Sequence, residues 1–136
     1  MTAPFNLKRT MKKYYIDLKK QWAVILAYDI ELLDLDEVGN WLETLGASDE
    51  DVRRASRTIL CWNTGFTFSN DQRRMSVVCI SRSSSVEEFM NTLSHELDHV
   101  QEAVCGYYGI ELGTEAAAYV QGDIMARLVH AVRVNK

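Results

Sequence analysis

The residues with the clearest chemical potential are His95, Glu96 and His99, in the run His95-Glu96-Leu97-Asp98-His99. Two histidines four positions apart on a helix project from adjacent turns on one side, so both imidazoles can reach a single ion. Imidazole is a borderline-soft ligand that suits Zn2+, whereas magnesium and calcium prefer oxygen-rich sites. Glu96 would stand about 100° round the helix from His95, flanking such an ion without ligating it. A carboxylate there can take a proton from a metal-activated water and deliver it to a leaving nitrogen, which is the chemistry of amide hydrolysis. The pattern has only three fixed positions, and solvated helix faces often carry His and Glu, so its setting has to decide.

That chemistry requires a helix, and the sequence predicts one. Ser85 followed three residues later by Glu88 reads as a capping box, and Val86, Phe89, Met90, Leu93, Leu97, Val100 and Val104 draw one apolar stripe as far as Cys105. Gly106 is the expected end. His95 and His99 fall on the side away from Leu93, Leu97 and Val100, which places them on a solvated face or in a cleft rather than in the core. A last helix, capped by Thr114 and with the apolar face Ala117, Ile124, Met125, Leu128 and Val132, is the expected cover.

A third ligand is then needed. Glu115 is the first candidate, at the start of that last helix with Tyr119 and Asp123 following at four-residue steps on the same stripe. The connection from Gly106 to Gly113 can span up to roughly 26 Å, enough for the chain to fold back. Glu102, on the face of His95 and His99, and Glu111, in the connection, rank below it. Tyr119 could donate to a developing oxyanion as a catalytic group, and Asp123 could orient a ligand histidine through its second nitrogen. His130 lies roughly 20 Å further along the helix and reads as a surface residue.

Upstream, Tyr14 to Leu18 and Trp22 to Ile30 read as a strand pair around Lys19-Lys20-Gln21, with a buried helix as the alternative for the second segment. A helix over Asp36 to Leu45 ending at Gly46, and a second from the cap Ser48 to about Leu60, follow from their periodicity. Trp62 to Phe68 and Met75 to Ser81 form a hairpin around Ser69-Asn70-Asp71-Gln72. With 136 residues, 47% hydrophobic, one proline (Pro4) and no repeat or linker, residues 1–136 are expected to make one α+β domain with a small antiparallel or mixed sheet. Cys61, Cys79 and Cys105 form neither CxxC spacing nor an even set, and are expected to be buried, reduced thiols. The longest apolar run, Trp22 to Tyr28, is too short to span a bilayer, so no membrane partner and a cytoplasmic location are expected. The net charge of -4 gives no global pull towards a nucleic-acid partner, and none is expected, although Lys8, Arg9, Lys12, Lys13, Lys19 and Lys20 make the start of the chain basic.

The segment Ser94-His95-Glu96-Leu97-Asp98-His99, followed by Glu115-Ala116-Ala117-Ala118-Tyr119, resembles the zincin metallopeptidases of the gluzincin group over about the last third of the chain. It also looks like the small peptidases of phage and mobile-element regulation that cleave repressors. The resemblance implies a zinc peptidase acting on a peptide or protein substrate, with His95, His99 and Glu115 as ligands and Glu96 as base. It also implies a sheet whose edge strand, here Met75 to Ser81, holds extended substrate by strand addition. Thermolysin-type gluzincins carry an aspartate four residues after the ligand glutamate, where this chain has Tyr119. A zincin-shaped binding or regulatory module without turnover is the alternative expectation.

Overall fold

The computed structural model describes residues 10–134. Pro4, Lys8 and Arg9 lie outside the described residues. Four strands, β1 (Lys12–Leu18), β2 (Trp22–Tyr28), β3 (Gly65–Asn70) and β4 (Met75–Ile80), form one mixed sheet in the order β1-β2-β4-β3. Four helices, α1 (Leu35–Thr44), α2 (Asp49–Ile59), α3 (Val86–Tyr108) and α4 (Glu115–Val134), complete an α+β architecture.

Each strand's residue pattern matches its place in the sheet. β2 and β4 are nearly continuous apolar runs, buried on both faces, and they pair in parallel with Ala23 opposite Met75 and Ala27 opposite Cys79. β1 and β3 contain alternating stretches and lie at the two edges, each antiparallel to its neighbour. The expected edge role of Met75 to Ser81 is therefore corrected. β4 is paired on both sides, and the edge next to the motif helix is β3.

Two apolar layers sandwich the sheet. On one face Val24, Leu26, Val78 and Ile80 meet Leu93, Leu97, Val100 and Val104 of α3, with Ala117, Val120, Ile124 and Leu128 of α4 beside them. On the other, Ala27, Val77, Cys79 and Phe66 meet Val38, Leu42, Ala55 and Ile59 of α1 and α2. Each fully buried aliphatic of the α3 stripe contributes about 1.5–3 kcal/mol. The Ser85 hydroxyl, which accepts from the Glu88 amide at 3.0 Å, adds about 1 kcal/mol. The stripe, more than the cap, therefore sets the rotation of α3 about its axis and the face that carries the histidines.

Helix α3 runs through Gly106 and ends at Gly109, whose φ of 69° is left-handed. A helical glycine costs about 1 kcal/mol. The turn beyond Gly106 is held by Tyr107 against Trp22, with ring centroids 5.9 Å apart, and by Lys20 over the Tyr108 ring. The amides of Gly109 and Ile110 both donate to the Cys105 carbonyl and close the helix. In the basic start of the chain, Lys12 pairs with Asp29 at 3.2 Å and Lys13 pairs with Glu37. Among the described residues no helix is long and apolar enough to cross a membrane.

Candidate metal centre and its cleft

The geometry of α3 separates three faces. Its buried stripe faces the sheet, its Asp98 and Gln101 flank faces α4, and its Glu96 flank turns towards β3. Gln121 of α4 donates to Asp98 at 3.0 Å, and Gln101 donates to the Ala117 carbonyl at 3.0 Å. Between the two flanks, opposite the core, His95 and His99 are exposed with ring centroids 5.1 Å apart. Nδ1 of His99 lies 3.3 Å from Oε1 of Glu102. When Nδ1 carries the proton it donates to Glu102, and Nε2 is left as the free lone pair.

Glu96 is only 4% exposed. Its Oε1 accepts a hydrogen bond from the Thr67 hydroxyl at 2.7 Å, and the same hydroxyl is 3.4 Å from the Glu96 carbonyl. The side chain fits against β3 because residue 65 is glycine. A Cβ at Gly65 would stand 2.6 Å from Cγ and 2.9 Å from Oε2 of Glu96. Along β3, Gly65, Thr67 and Ser69 pair with Ile80, Val78 and Ser76, while Phe66 and Phe68 point to the opposite face. The strand thus presents small or hydroxylated residues to the helix and aromatic ones to the second core.

Two neighbouring cavities share Thr58, Gly65, His95 and Glu96 in their walls and so form one cleft between α3, β3 and the end of α2. The larger, about 640 Å³, continues past Thr67, His99 and Glu102 to Arg54. The smaller, about 400 Å³, continues past Asn63, Thr64 and Thr92. Beneath the cleft, Cys79 is fully buried, and burial together with the nearby Glu96 charge pushes its thiol up to about 12. It stays protonated at neutral pH and supplies no thiolate. All three cysteines are free, as expected, but Cys61 is exposed rather than buried.

No protein-family model, curated protein or solved structure matches the chain.

The structure assembles His95, Glu96, His99 and Glu102 around one cleft and leaves Glu115 and Tyr119 outside it. The cover over the histidines is β3 with α2, not α4. On α4 the buried residues Ala117, Val120, Ile124 and Leu128 lie roughly opposite Glu115 on the wheel, so Glu115 is exposed. The flank that meets α3, marked by Gln121, is about 120° away from it. Among the described residues no group of three or more His, Cys, Asp or Glu is arranged to hold a metal ion. Tyr119 is 74% exposed and lines a separate cavity of about 460 Å³ with Lys19, Lys20 and Asp123.

Asp123 serves a structural purpose there. Burial opposes its ionisation, but bonds from Arg127 at 2.6 Å and from the Lys19 amide at 2.8 Å outweigh it and hold the carboxyl below the usual range. It ties α4 to the β1–β2 turn and orients no histidine. Glu111 is exposed in the connection, and its carbonyl accepts from Thr114 at 2.6 Å; His130 is exposed, as expected. Gly65 and Thr67 went unnoticed in the sequence. Their signal was the run Gly65-Phe66-Thr67-Phe68-Ser69, where alternate small residues mark a strand face that leaves room for another group.

Proposed function

We propose that the protein is a zinc-dependent hydrolase of zincin type that cleaves amide bonds in a peptide or protein substrate. The observation that carries this is the position of Glu96. Its carboxylate is buried and pinned beside two exposed imidazoles of the same helix, at the wall of an open cleft. A surface His-Glu-His pattern without function would not require a buried carboxylate, which is costly to desolvate, or a glycine to make room for it.

Two imidazoles on one side of a helix suit zinc, but among the described residues no third His, Cys, Asp or Glu is grouped with them, so the remaining positions on the ion would fall to water and substrate. His95 and His99 would hold the ion, and Glu102 would orient the His99 ring through Nδ1. Bound there, the ion would supply Lewis acidity and an acidified water. Glu96 would take the proton of the water as its oxygen bonds to the amide carbon, and would deliver it to the nitrogen as the carbon–nitrogen bond breaks. The free side of β3, with Thr58 and Arg54 of α2 across the cleft, suits an extended peptide added as a further strand.

Purified protein is expected to hydrolyse a denatured protein or peptide mixture, to lose that activity with a zinc chelator, and to recover it on addition of zinc. Hydrolysis indifferent to the chelator would contradict the proposal. A zinc-holding module without turnover is the second reading, favoured by the places of Glu115 and Tyr119 outside the cleft. Protein that loads zinc yet cleaves nothing would select it.

A further inference from the structure

The two carboxylate oxygens of Glu96 have different surroundings. Oε1 accepts from Thr67 at 2.7 Å, whereas Oε2 lies against Gly65, 2.9 Å from where a Cβ would stand. Among the described residues Thr67 is the carboxylate's only hydrogen-bond donor. The terminal torsion of a glutamate is broad, so nothing intrinsic to the side chain decides which oxygen faces the cleft. Thr67 can decide it. Its χ1 is restricted by β-branching, and it sits in a strand registered against β4 with Val78 opposite. Its hydroxyl is therefore aimed by the sheet rather than by a mobile loop. The 3.4 Å contact with the Glu96 carbonyl is too long to compete for the same proton.

We propose that Thr67 is the positioning residue for Glu96, holding Oε1 so that Oε2, in the space left by Gly65, is the oxygen that accepts the proton. This rests on the hydrolase reading above. In this role the hydroxyl acts through the carboxylate. A merely structural hydrogen bond would change stability when removed. A positioning bond changes turnover while substrate and metal binding stay as they were.

The test compares Thr67→Val, which exchanges the hydroxyl for a methyl of similar size, with Thr67→Ser, which keeps the hydroxyl. Thr67→Val is expected to lower kcat about 10- to 100-fold, the scale of one lost bond to a charged group, with KM and zinc content changed by less than about 2-fold. Thr67→Ser is expected to recover kcat to within about 3-fold of the wild type. In metal-free protein at one fixed neutral pH, the carboxyl carbon resonance of Glu96 should move in Thr67→Val and return in Thr67→Ser. A Thr67→Val enzyme that keeps both kcat and this resonance would overturn the assignment alone, as would a serine variant no better than valine. A wild-type protein that hydrolyses nothing would overturn the hydrolase reading and the assignment with it.

Discussion

Glu96→Gln is expected to lower kcat by about 10²- to 10⁴-fold, the usual contribution of a positioned general base, while zinc content stays at the wild-type value. The substitution changes chemistry and little else. Glutamine has the same length, still places an oxygen where Oε1 accepts from Thr67, and still fits the space opposite Gly65. It removes the negative charge that would take the proton in the proposed hydrolysis. It also relieves the desolvation of a carboxylate that is 4% exposed, so thermal stability should be unchanged or slightly higher. Single-turnover measurements with metal content recorded for each preparation would check it. A variant that retains kcat within about 3-fold would remove Glu96 from the role of base.

Gly65→Ala is expected to destabilise the protein by about 1–3 kcal/mol and to abolish most turnover. The new Cβ would come within 2.6 Å of Cγ of Glu96, midway along the side chain, and within 2.9 Å of Oε2 and 3.0 Å of Cδ in its carboxylate, which Thr67 holds in place. Neither partner can move away cheaply. β3 is fixed by its register with β4, and α3 is fixed by Leu93, Leu97, Val100 and Val104, all fully buried. The damage should therefore depend on Glu96. Adding Glu96→Ala to Gly65→Ala removes the colliding atoms, and the pair should be more stable than the sum of the single changes by about 1 kcal/mol or more. Urea unfolding of the four proteins measures this coupling. Additive effects would mean that the glycine is needed for the strand itself rather than for the glutamate.

The sequence made the elements legible, and the pairing between distant elements much less so. Ser48 caps α2 as its type and spacing predict, accepting from the Asp51 amide at 3.1 Å, and the strand pair lies where its runs place it; the hairpin is present but shifted, its first strand being Gly65–Asn70 rather than Trp62 to Phe68, with Ser69 and Asn70 in the strand instead of the turn. The choice of edge strand was readable but passed over. Met75 to Ile80 is apolar except for Ser76, the kind of run that lies inside a sheet, whereas Gly65 to Asn70 alternates. For α3, the stripe correctly put His95 and His99 opposite the core, because that inference needs only the period of one helix.

The flank facing each neighbour is a different kind of information. A wheel says that Glu115, Tyr119 and Asp123 share a stripe, but which stripe meets α3 depends on how two helices cross. That crossing is set by the packing of Ala117, Val120, Ile124 and Leu128 against a shared core. The role of Thr67 depends on a contact 29 positions away in the chain, which no local pattern encodes.

The central claim is that His95 and His99 together hold zinc beside the buried Glu96. Metal analysis of the purified wild type, His95→Ala and His99→Ala tests it most directly. About one zinc per chain is expected in the wild type and its loss in both variants, with the fold retained because both side chains are exposed. A wild-type protein without zinc after exposure to the metal, or a zinc content unchanged by either substitution, would contradict it.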